Sequence, residues 1–219
     1  MASSLNSTEQ RVLGVLIEKS LAVPAYYPLT LNAVLAACNQ KSNRDPVMEL
    51  AEGEVATALH GLRQWQLVSQ APPDRNSRSN RFQHEAEERF GWNAAQRALM
   101  AELLLRGPQT LGELKTRASR MTHLESMDYA HELLRELMRT DPPQVVELPR
   151  YPGQSTTRFA QLLGDAPPAT AWPLKAAAMP PAAAAAPSSD VALEPRVCNL
   201  ERQLAEMQEE LRTIRDRLG

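Results

Sequence analysis

The segment Pro28-Leu29-Thr30-Leu31, in which a proline precedes a short helix start, occurs a second time as Pro108-Gln109-Thr110-Leu111. An apolar-periodic stretch comes before each copy, and a second one follows it. The preceding stretches open with Gln10-Arg11 and Gln96-Arg97. The following stretches carry apolar residues at i, i+3, i+4 and i+7, namely Val55, Ala58, Leu59 and Leu62, and then Ala130, Leu133, Leu134 and Leu137. The chain therefore contains an internal repeat of one structural pattern.

Each copy closes with a β-like run, a turn-rich loop and an Arg-Phe pair, from Val68 to Arg81-Phe82 and from Val145 to Arg158-Phe159. Three helices followed by a two-stranded hairpin is the element order of a winged helix. The sequence thus predicts a mainly α protein with small β-hairpins (α+β), made of two tandem winged-helix domains at 1–90 and 91–164. Side chains of the N-cap type support the helix starts. The predicted caps are Ser7, Thr30, Asn93, Thr110 and Ser126.

The remainder of the chain divides into two parts. Residues 165–195 are rich in Ala and Pro and predict a disordered linker. Residues 196–219 show apolar positions alternating at spacings of three and four, which predicts a coiled-coil helix and a homodimer. An amphipathic helix docked on its own chain is the alternative. The predicted dimerisation seam is Val197, Leu200, Leu204, Met207, Leu211, Ile214 and Leu218.

Composition narrows the function classes. A net charge of −2 argues against non-specific binding of nucleic acid through the overall field, and 5% aromatic residues argue against base-stacking surfaces. Cys38 and Cys198 match no metal or redox spacing, which suits a reducing compartment. The Ala-rich stretch at 176–186 is too short to span a membrane, and no signal peptide is visible at the N-terminus. These features predict a cytoplasmic protein without a membrane partner, metal or cofactor.

The third helix of the first copy carries the best candidates for reading DNA. In a winged helix this element usually enters the major groove. Its predicted outward side includes His60, Arg63 and Gln64, which are suited to base edges, while Glu54 would repel phosphate. The matching face of the second copy is mixed to acidic and better suits a solvated helix face or a protein interface. That face comprises Asp128, His131, Glu132, Arg135, Glu136 and Arg139.

Further basic residues are candidates for phosphate contacts. The first wing contains Arg75, Arg78 and Arg81, with Asp74 as the only acidic residue near them. The alternative for all of these residues is an ordinary charged surface. The weaker candidates are Arg150 and Arg158 in the second wing and the run of Lys115, Arg117 and Arg120.

The loop from Asn39 to Pro46 contains no apolar residue and is rich in turn-forming side chains. Its Lys41 and Arg44 are candidates for clamping phosphate or a partner's carboxylate. The structural alternative, in which Arg44 pairs with Glu49 or Glu52 and Lys41 stays exposed, is favoured.

Two long motifs resemble one known family, the YceH-like bacterial proteins of unknown function. The first runs from Ala37-Cys38-Asn39-Gln40-Lys41-Ser42-Asn43-Arg44 to Asp45-Pro46-Val47-Met48, and the second is Leu103-Leu104-Leu105-Arg106-Gly107-Pro108 with Gln109-Thr110-Leu111-Gly112-Glu113-Leu114. Leu16-Ile17-Glu18-Lys19 and Tyr27-Pro28-Leu29 agree with it as well. The resemblance implies tandem winged helices in a bacterial cytoplasmic protein, and it implies no reaction.

No phosphate-binding glycine loop, nucleophile elbow or metalloprotease motif is visible, so no enzymatic activity is predicted. The leading hypothesis is a dimeric, regulator-like protein that binds double-stranded DNA. The alternative is a scaffold whose winged helices bind another protein and not DNA.

Overall fold

The computed structural model of the protein describes residues 4–71, 79–150 and 155–164, which form seven α-helices and two small antiparallel sheets. The predicted α+β class, mainly helical with small hairpins, is confirmed. The predicted linker at 165–195 and coiled-coil helix at 196–219 lie outside the described residues. No helix within the described ranges has both the length and the apolar character needed to cross a bilayer.

The first repeat contains three helices and a three-stranded sheet. Its third strand lies in the middle of the sheet and pairs antiparallel with both neighbours, Leu29 opposite Phe82 and Val68 opposite His84. The elements are α1 (Ser7–Ala22), β1 (Leu29–Thr30), α2 (Leu31–Cys38), α3 (Glu52–Gln64), β2 (Val68–Ala71) and β3 (Arg81–His84).

The second repeat follows a short helix and has the same order. Its hairpin pairs Val145 with Gln161, and a single bridge between Gln109 and Phe159 stands where the first repeat has the pairing of β1 with β3. The elements are α4 (Ala86–Phe90), α5 (Ala94–Arg106), α6 (Leu111–Ala118), α7 (Met127–Arg139), β4 (Val145–Leu148) and β5 (Arg158–Gln161).

Side-chain caps fix where the helices begin. Thr30, Asn93, Thr110 and Ser126 accept hydrogen bonds from the backbone as predicted. The prediction for α1 was wrong by one residue, since Asn6 and not Ser7 is its cap. Asn6 Oδ1 accepts from the Glu9 N–H at 2.9 Å, and Glu9 Oε2 accepts from the Asn6 N–H at 2.9 Å. A carboxylate in the first turn also interacts favourably with the helix dipole, which the amide of Gln10 does not.

Helices α1 and α5 join the two repeats. Every residue from Arg11 to Ile17 and from Ala98 to Leu105 is buried, so both helices are covered on all sides. They pack closely because Gly14 has no side chain, and a Cβ there would lie 3.0 Å from Leu104 Cβ. The buried apolar residues of both repeats form one continuous core. An amphipathic surface helix would keep one polar face exposed, so this burial makes the two repeats parts of one folded unit.

Candidate nucleic-acid interface

The outer face of α3 presents polar side chains to solvent. The helix buries Val55, Ala58, Leu59 and Leu62, and its opposite face exposes His60, Arg63 and Gln64. Gln64 Nε2 lies 3.1 Å from His60 Nε2 and donates to it in the tautomer that carries the imidazole proton on Nδ1. Arg63 makes no ion pair with any described residue. The α3 face therefore offers a free guanidinium beside two groups that can donate or accept hydrogen bonds.

The start of α3 is acidic. Glu52 and Glu54 are both exposed in its first turn. Glu54 Oε2 accepts a hydrogen bond of 2.7 Å from the Ala51 N–H, which stabilises the helix start. Any phosphate contact on this helix therefore falls on its C-terminal half, where Arg63 lies.

Two of the predicted wing arginines lie at the loop end of a hairpin and anchor it to the body of their repeat. Arg81 Nη1 donates to the Pro28 carbonyl at 2.9 Å, and Arg158 Nη1 donates to the Pro108 carbonyl at 3.2 Å. Both are half-buried and tie a hairpin strand to the segment before the second helix of the same repeat. Arg81 is thus a strand residue with an internal partner and not part of a free wing tip. Arg75 and Arg78 lie outside the described residues.

The basic run on α6 is partly neutralised. Arg117 and Arg158 both pair with Glu113. Burial alone would raise the pKa of Glu113, but its hydrogen bond from Thr110 and the charge of Arg158 lower it, and the net shift is downward. Within the described residues no carboxylate pairs with exposed Arg120 or with half-buried Lys115. Exposed Lys41 and Arg150 likewise make no ion pair with a described residue, so four cations of the predicted set outside α3 remain available.

Arg44 is a structural clamp. Its residue exposure is 5%, and it donates five hydrogen bonds, to Glu18 Oε1 and Oε2, to Gln40 Oε1 and to the carbonyls of Ala37 and Asn43. The two bonds to Glu18 measure 3.1 and 2.6 Å. The partner is Glu18 of α1 and not Glu49 or Glu52, because the loop turns inward against α1. The structural interpretation of Arg44 holds, and its assignment to a phosphate was wrong.

The same loop also contacts α5. The Asp45 N–H donates to the Leu105 carbonyl at 2.9 Å, and Arg106 Nη2 donates to Asn43 Oδ1. The two motifs that carry the family resemblance therefore meet at the junction of the repeats. Burial lowers the pKa of Arg106 despite its ion pair with Glu102, and the neighbouring Arg117 lowers it further. The junction therefore contains the Glu102–Arg106 ion pair, and a cavity of about 200 Å³ beside it is lined by Asp45 and Pro46 of the loop and by Gly107 and Pro108 after α5.

The third helix of the second repeat neutralises its own face. Glu132 pairs with Arg135 at 3.9 Å and with Arg139 at 3.1 Å. Near the start of the same helix, Met127 and Tyr129 are 42% and 39% exposed. The face of α7 thus combines internal ion pairs with exposed apolar groups, which is a poor match to phosphate.

Sequence reasoning missed the role of a half-buried histidine, His84. His84 Nδ1 accepts from the Ala86 N–H at 3.3 Å, so the proton is on Nε2, which donates to Ser20 Oγ at 2.8 Å. The Ser20 hydroxyl in turn donates to the Ile17 carbonyl at 2.8 Å. Burial, aided by the charge of Arg97, lowers the pKa of His84 to about 4. This direction of donation is opposite to a serine–histidine nucleophile, in which the imidazole must accept the hydroxyl proton. His84 sits in the closing stretch after Arg81-Phe82, where no spacing signalled it.

No group of three or more His, Cys, Asp or Glu residues in the described ranges is arranged to hold a metal ion. Cys38 is buried in α2, and burial raises the pKa of its thiol to about 12, which makes it a poor nucleophile.

The matching family model and the similar individual proteins agree on one family. The model of a family described as "Protein of unknown function, DUF480" matches residues 5–154. A UPF0502 protein of Geobacter sulfurreducens is 52% identical over 167 residues, covering 76% of this chain and 75% of that protein. A UPF0502 protein of Koribacter versatilis is 45% identical over 163 residues, covering 74% and 75%. One from Geotalea uraniireducens is 42% identical over 205 residues, covering 94% and 90%.

Proposed function

The chain belongs to the DUF480 (UPF0502) family of uncharacterised bacterial proteins, and we propose that it is a regulator-like protein that binds double-stranded DNA through α3. The proposal gives the chain a binding role and no reaction. It includes a homodimer formed through the Val197–Leu218 seam, and a location in the bacterial cytoplasm, where DNA is found.

The order of elements supports two winged helices. Each repeat runs through three helices and then an antiparallel hairpin, and in both an arginine at the start of the last strand bonds to the carbonyl before the second helix. In a winged helix the third helix enters the major groove and the hairpin touches the DNA backbone. Helix α3 is the third helix of the first repeat.

The observation that carries the proposal is the difference between the third helices of the two repeats. On α3, Arg63 has no ion pair within the described part of the chain, and Gln64 and His60 lie exposed beside it. On α7, Glu132 pairs with both Arg135 and Arg139. A cation without a protein partner can bind phosphate or a guanine edge without first losing an internal ion pair.

Other exposed or half-buried cations are further candidates for phosphate contacts. Lys41, Lys115, Arg120 and Arg150 lack an ion pair with any described residue, and each is suited to a phosphate contact. Because the net charge is −2, affinity must come from such local groups and not from the overall field.

The test compares Arg63→Ala with Arg139→Ala in the full-length chain. Binding to sheared genomic DNA is measured by fluorescence anisotropy at two salt concentrations. Loss of one phosphate contact lowers the salt slope by about 0.9, and loss of a base contact costs about 1–3 kcal/mol. We expect R63A to lower the salt slope by about 0.9, to lose about 1–3 kcal/mol of binding free energy, or both. We expect R139A to bind like wild type. Equal affinities and slopes for the two variants would refute the role of α3.

Two further substitutions test the remaining parts of the proposal. Replacing Arg75 and Arg78 together by alanine removes the predicted wing contacts, and we expect a lower salt slope. Replacing Leu204 and Leu211 by lysine puts charges into the predicted seam, and light scattering should then report a monomer. An unchanged molar mass would show that the seam does not form the dimer.

A second candidate function is protein binding through α7. It is favoured by the exposed Met127 and Tyr129 beside the internally paired charges of Glu132. If the wild-type protein fails to bind DNA at low salt, this alternative becomes the better one. Substituting Met127 and Tyr129 by serine should then reduce the recovery of a cross-linked cellular partner, while R63A should not.

A further inference from the structure

A cleft of about 440 Å³ is lined by residues of both repeats and of the connection between them. Trp65, which directly follows α3, and Phe90 at the end of α4 line it from the first repeat and the connection. Pro142, Gln144 and Leu163 line it from the second repeat. Its volume falls within the range of about 300–1,000 Å³ typical of small-molecule sites, and most of its wall is apolar or aromatic.

The side-chain amide of Gln144 in this cleft has a bonded oxygen and an unbonded Nε2 group. Trp92 Nε1 donates to Gln144 Oε1 at 2.6 Å, which fixes the orientation of a side chain whose residue exposure is only 9%. The backbone N–H and carbonyl of Gln144 are bonded to Leu137 and Leu162. Its Nε2 group has no acceptor among the described residues. The cleft therefore contains a rigidly held amide whose two donors are unused.

A cation lies at the same cleft. Arg89 is exposed and forms no ion pair with any described residue, although Asp141 lines the same cleft. A guanidinium and an amide NH₂ together suit a carboxylate, which accepts hydrogen bonds from both. Asp141 disfavours a second negative charge in the ligand. The ring of Phe90 is itself stacked on Trp92, with centroids 4.4 Å apart, so this wall is preorganised to receive a flat apolar group.

We propose that this cleft is a binding site for a small aromatic monocarboxylate. The carboxylate binds Arg89 and Gln144 Nε2, and the ring lies against the apolar wall formed by Trp65, Phe90 and Pro142. This site stands on different residues from the DNA interface and does not require DNA binding.

The test uses the full-length protein and two probes of the same shape, indole-3-acetate and indole-3-acetamide, in calorimetric titrations at pH 7. We expect saturable binding of the acetate and at least about tenfold weaker binding of the amide, because only the acetate forms an ion pair with Arg89. No binding of the acetate at millimolar concentration, or equal binding of the two probes, would overturn the proposal.

Two variants tie the binding to the cleft. Arg89→Gln removes the cation, and Gln144→Glu keeps an acceptor for Trp92 while replacing the free donor by a carboxylate oxygen. Each should weaken binding of indole-3-acetate by about tenfold or more, whereas Arg135→Gln, which removes an exposed arginine on α7 outside the cleft, should bind it like wild type. Thermal melting shows that each variant is folded. Affinities that do not change in R89Q and Q144E would exclude this site.

The indole N–H resonance of Trp65 gives a second readout. It is assigned in an ¹⁵N spectrum by its loss in Trp65→Phe. Titration with indole-3-acetate should shift this resonance in step with the calorimetric saturation. Saturable binding without a shift at Trp65 would put the probe outside the cleft and contradict the proposal.

Discussion

Replacing Arg44 by methionine tests whether the loop from Asn39 to Pro46 is a clamp. The substitution keeps most of the side-chain volume but removes all five hydrogen bonds of the guanidinium. Glu18, whose side chain is only 12% exposed, then loses its bidentate partner and keeps only the longer contact of Oε2 with Lys19 Nζ at 3.6 Å. Breaking a buried pair by removing one partner typically costs about 3–5 kcal/mol. Since natural domains are stable by about 5–15 kcal/mol, we expect a loss of roughly a fifth or more of the total free energy of unfolding.

The assay is urea unfolding of the full-length chain at pH 7, with Glu18→Gln and the double variant completing a thermodynamic cycle. We expect a coupling energy towards the upper end of the usual range of about 0.5–3 kcal/mol, because the pair is bidentate and largely buried. Lys41→Ala, in the same loop but exposed, is the matched control and should change the free energy of unfolding by less than about 0.5 kcal/mol.

A result in which Arg44→Met costs no more than Lys41→Ala would refute the clamp. So would a coupling energy of zero, since the two charges would then act independently. If the guanidinium served DNA instead, the variant would retain its stability and lose affinity for DNA. If Arg44 is a clamp, the variant instead loses stability, and this loss is measured in the absence of DNA.

Other substitutions have equally definite outcomes, all measured by urea unfolding. Well above pH 6.5, His84 is neutral in both the folded and the unfolded chain. As the pH falls towards 4, the unfolded chain takes up a proton at this residue and the folded chain does not. The free energy of unfolding therefore falls by up to roughly 3 kcal/mol over this range. His84→Asn should flatten this dependence between pH 7 and 4, and an unchanged slope would contradict it. Gly14→Ala places a Cβ 3.0 Å from Leu104 Cβ and should cost about 1–3 kcal/mol, whereas Gly53→Ala meets no atom within 4 Å and should not destabilise. Asn93→Ala removes a cap and should cost about 1 kcal/mol, with no loss if the helix start is held by packing alone.

Local signals predicted the helices well because their causes are local. Thr30, Asn93 and Thr110 bond to backbone groups three residues away, and such pairs can be read from the spacing of residue types. Choosing between Ser7 and Asn6 required more than spacing, since both have a partner of the right type three residues on. The chain uses Asn6, whose partner Glu9 is buried against Gly61 of α3 and so is also fixed by tertiary packing.

The candidate site was less predictable because charged residues find partners far along the chain. Arg44 and Glu18 are separated by 26 residues, and Arg81 and the carbonyl of Pro28 by 53. No periodicity connects such residues, so the sequence suggested Glu49 or Glu52 as the partner of Arg44 and no partner for Arg81. Exposed Arg63 on α3 was predicted correctly to face outward, because helical spacing alone sets which face the apolar residues bury.

The positions of the two family-like motifs constrain how the proposed DNA contacts are presented. Asn43 and Asp45 of the first motif bond to Arg106 and Leu105 of the second, and α1 and α5 pack without space for a side chain at Gly14. Two halves joined by these hydrogen bonds and a shared apolar core cannot rotate about the junction without breaking both. Helix α3 is therefore carried on a rigid platform that includes the second repeat. In this arrangement the second repeat can contribute to DNA binding only through groups that reach the duplex while α3 is docked in it. Arg120, which has no ion pair with a described residue, must therefore bind the same duplex as Arg63 or make no contribution.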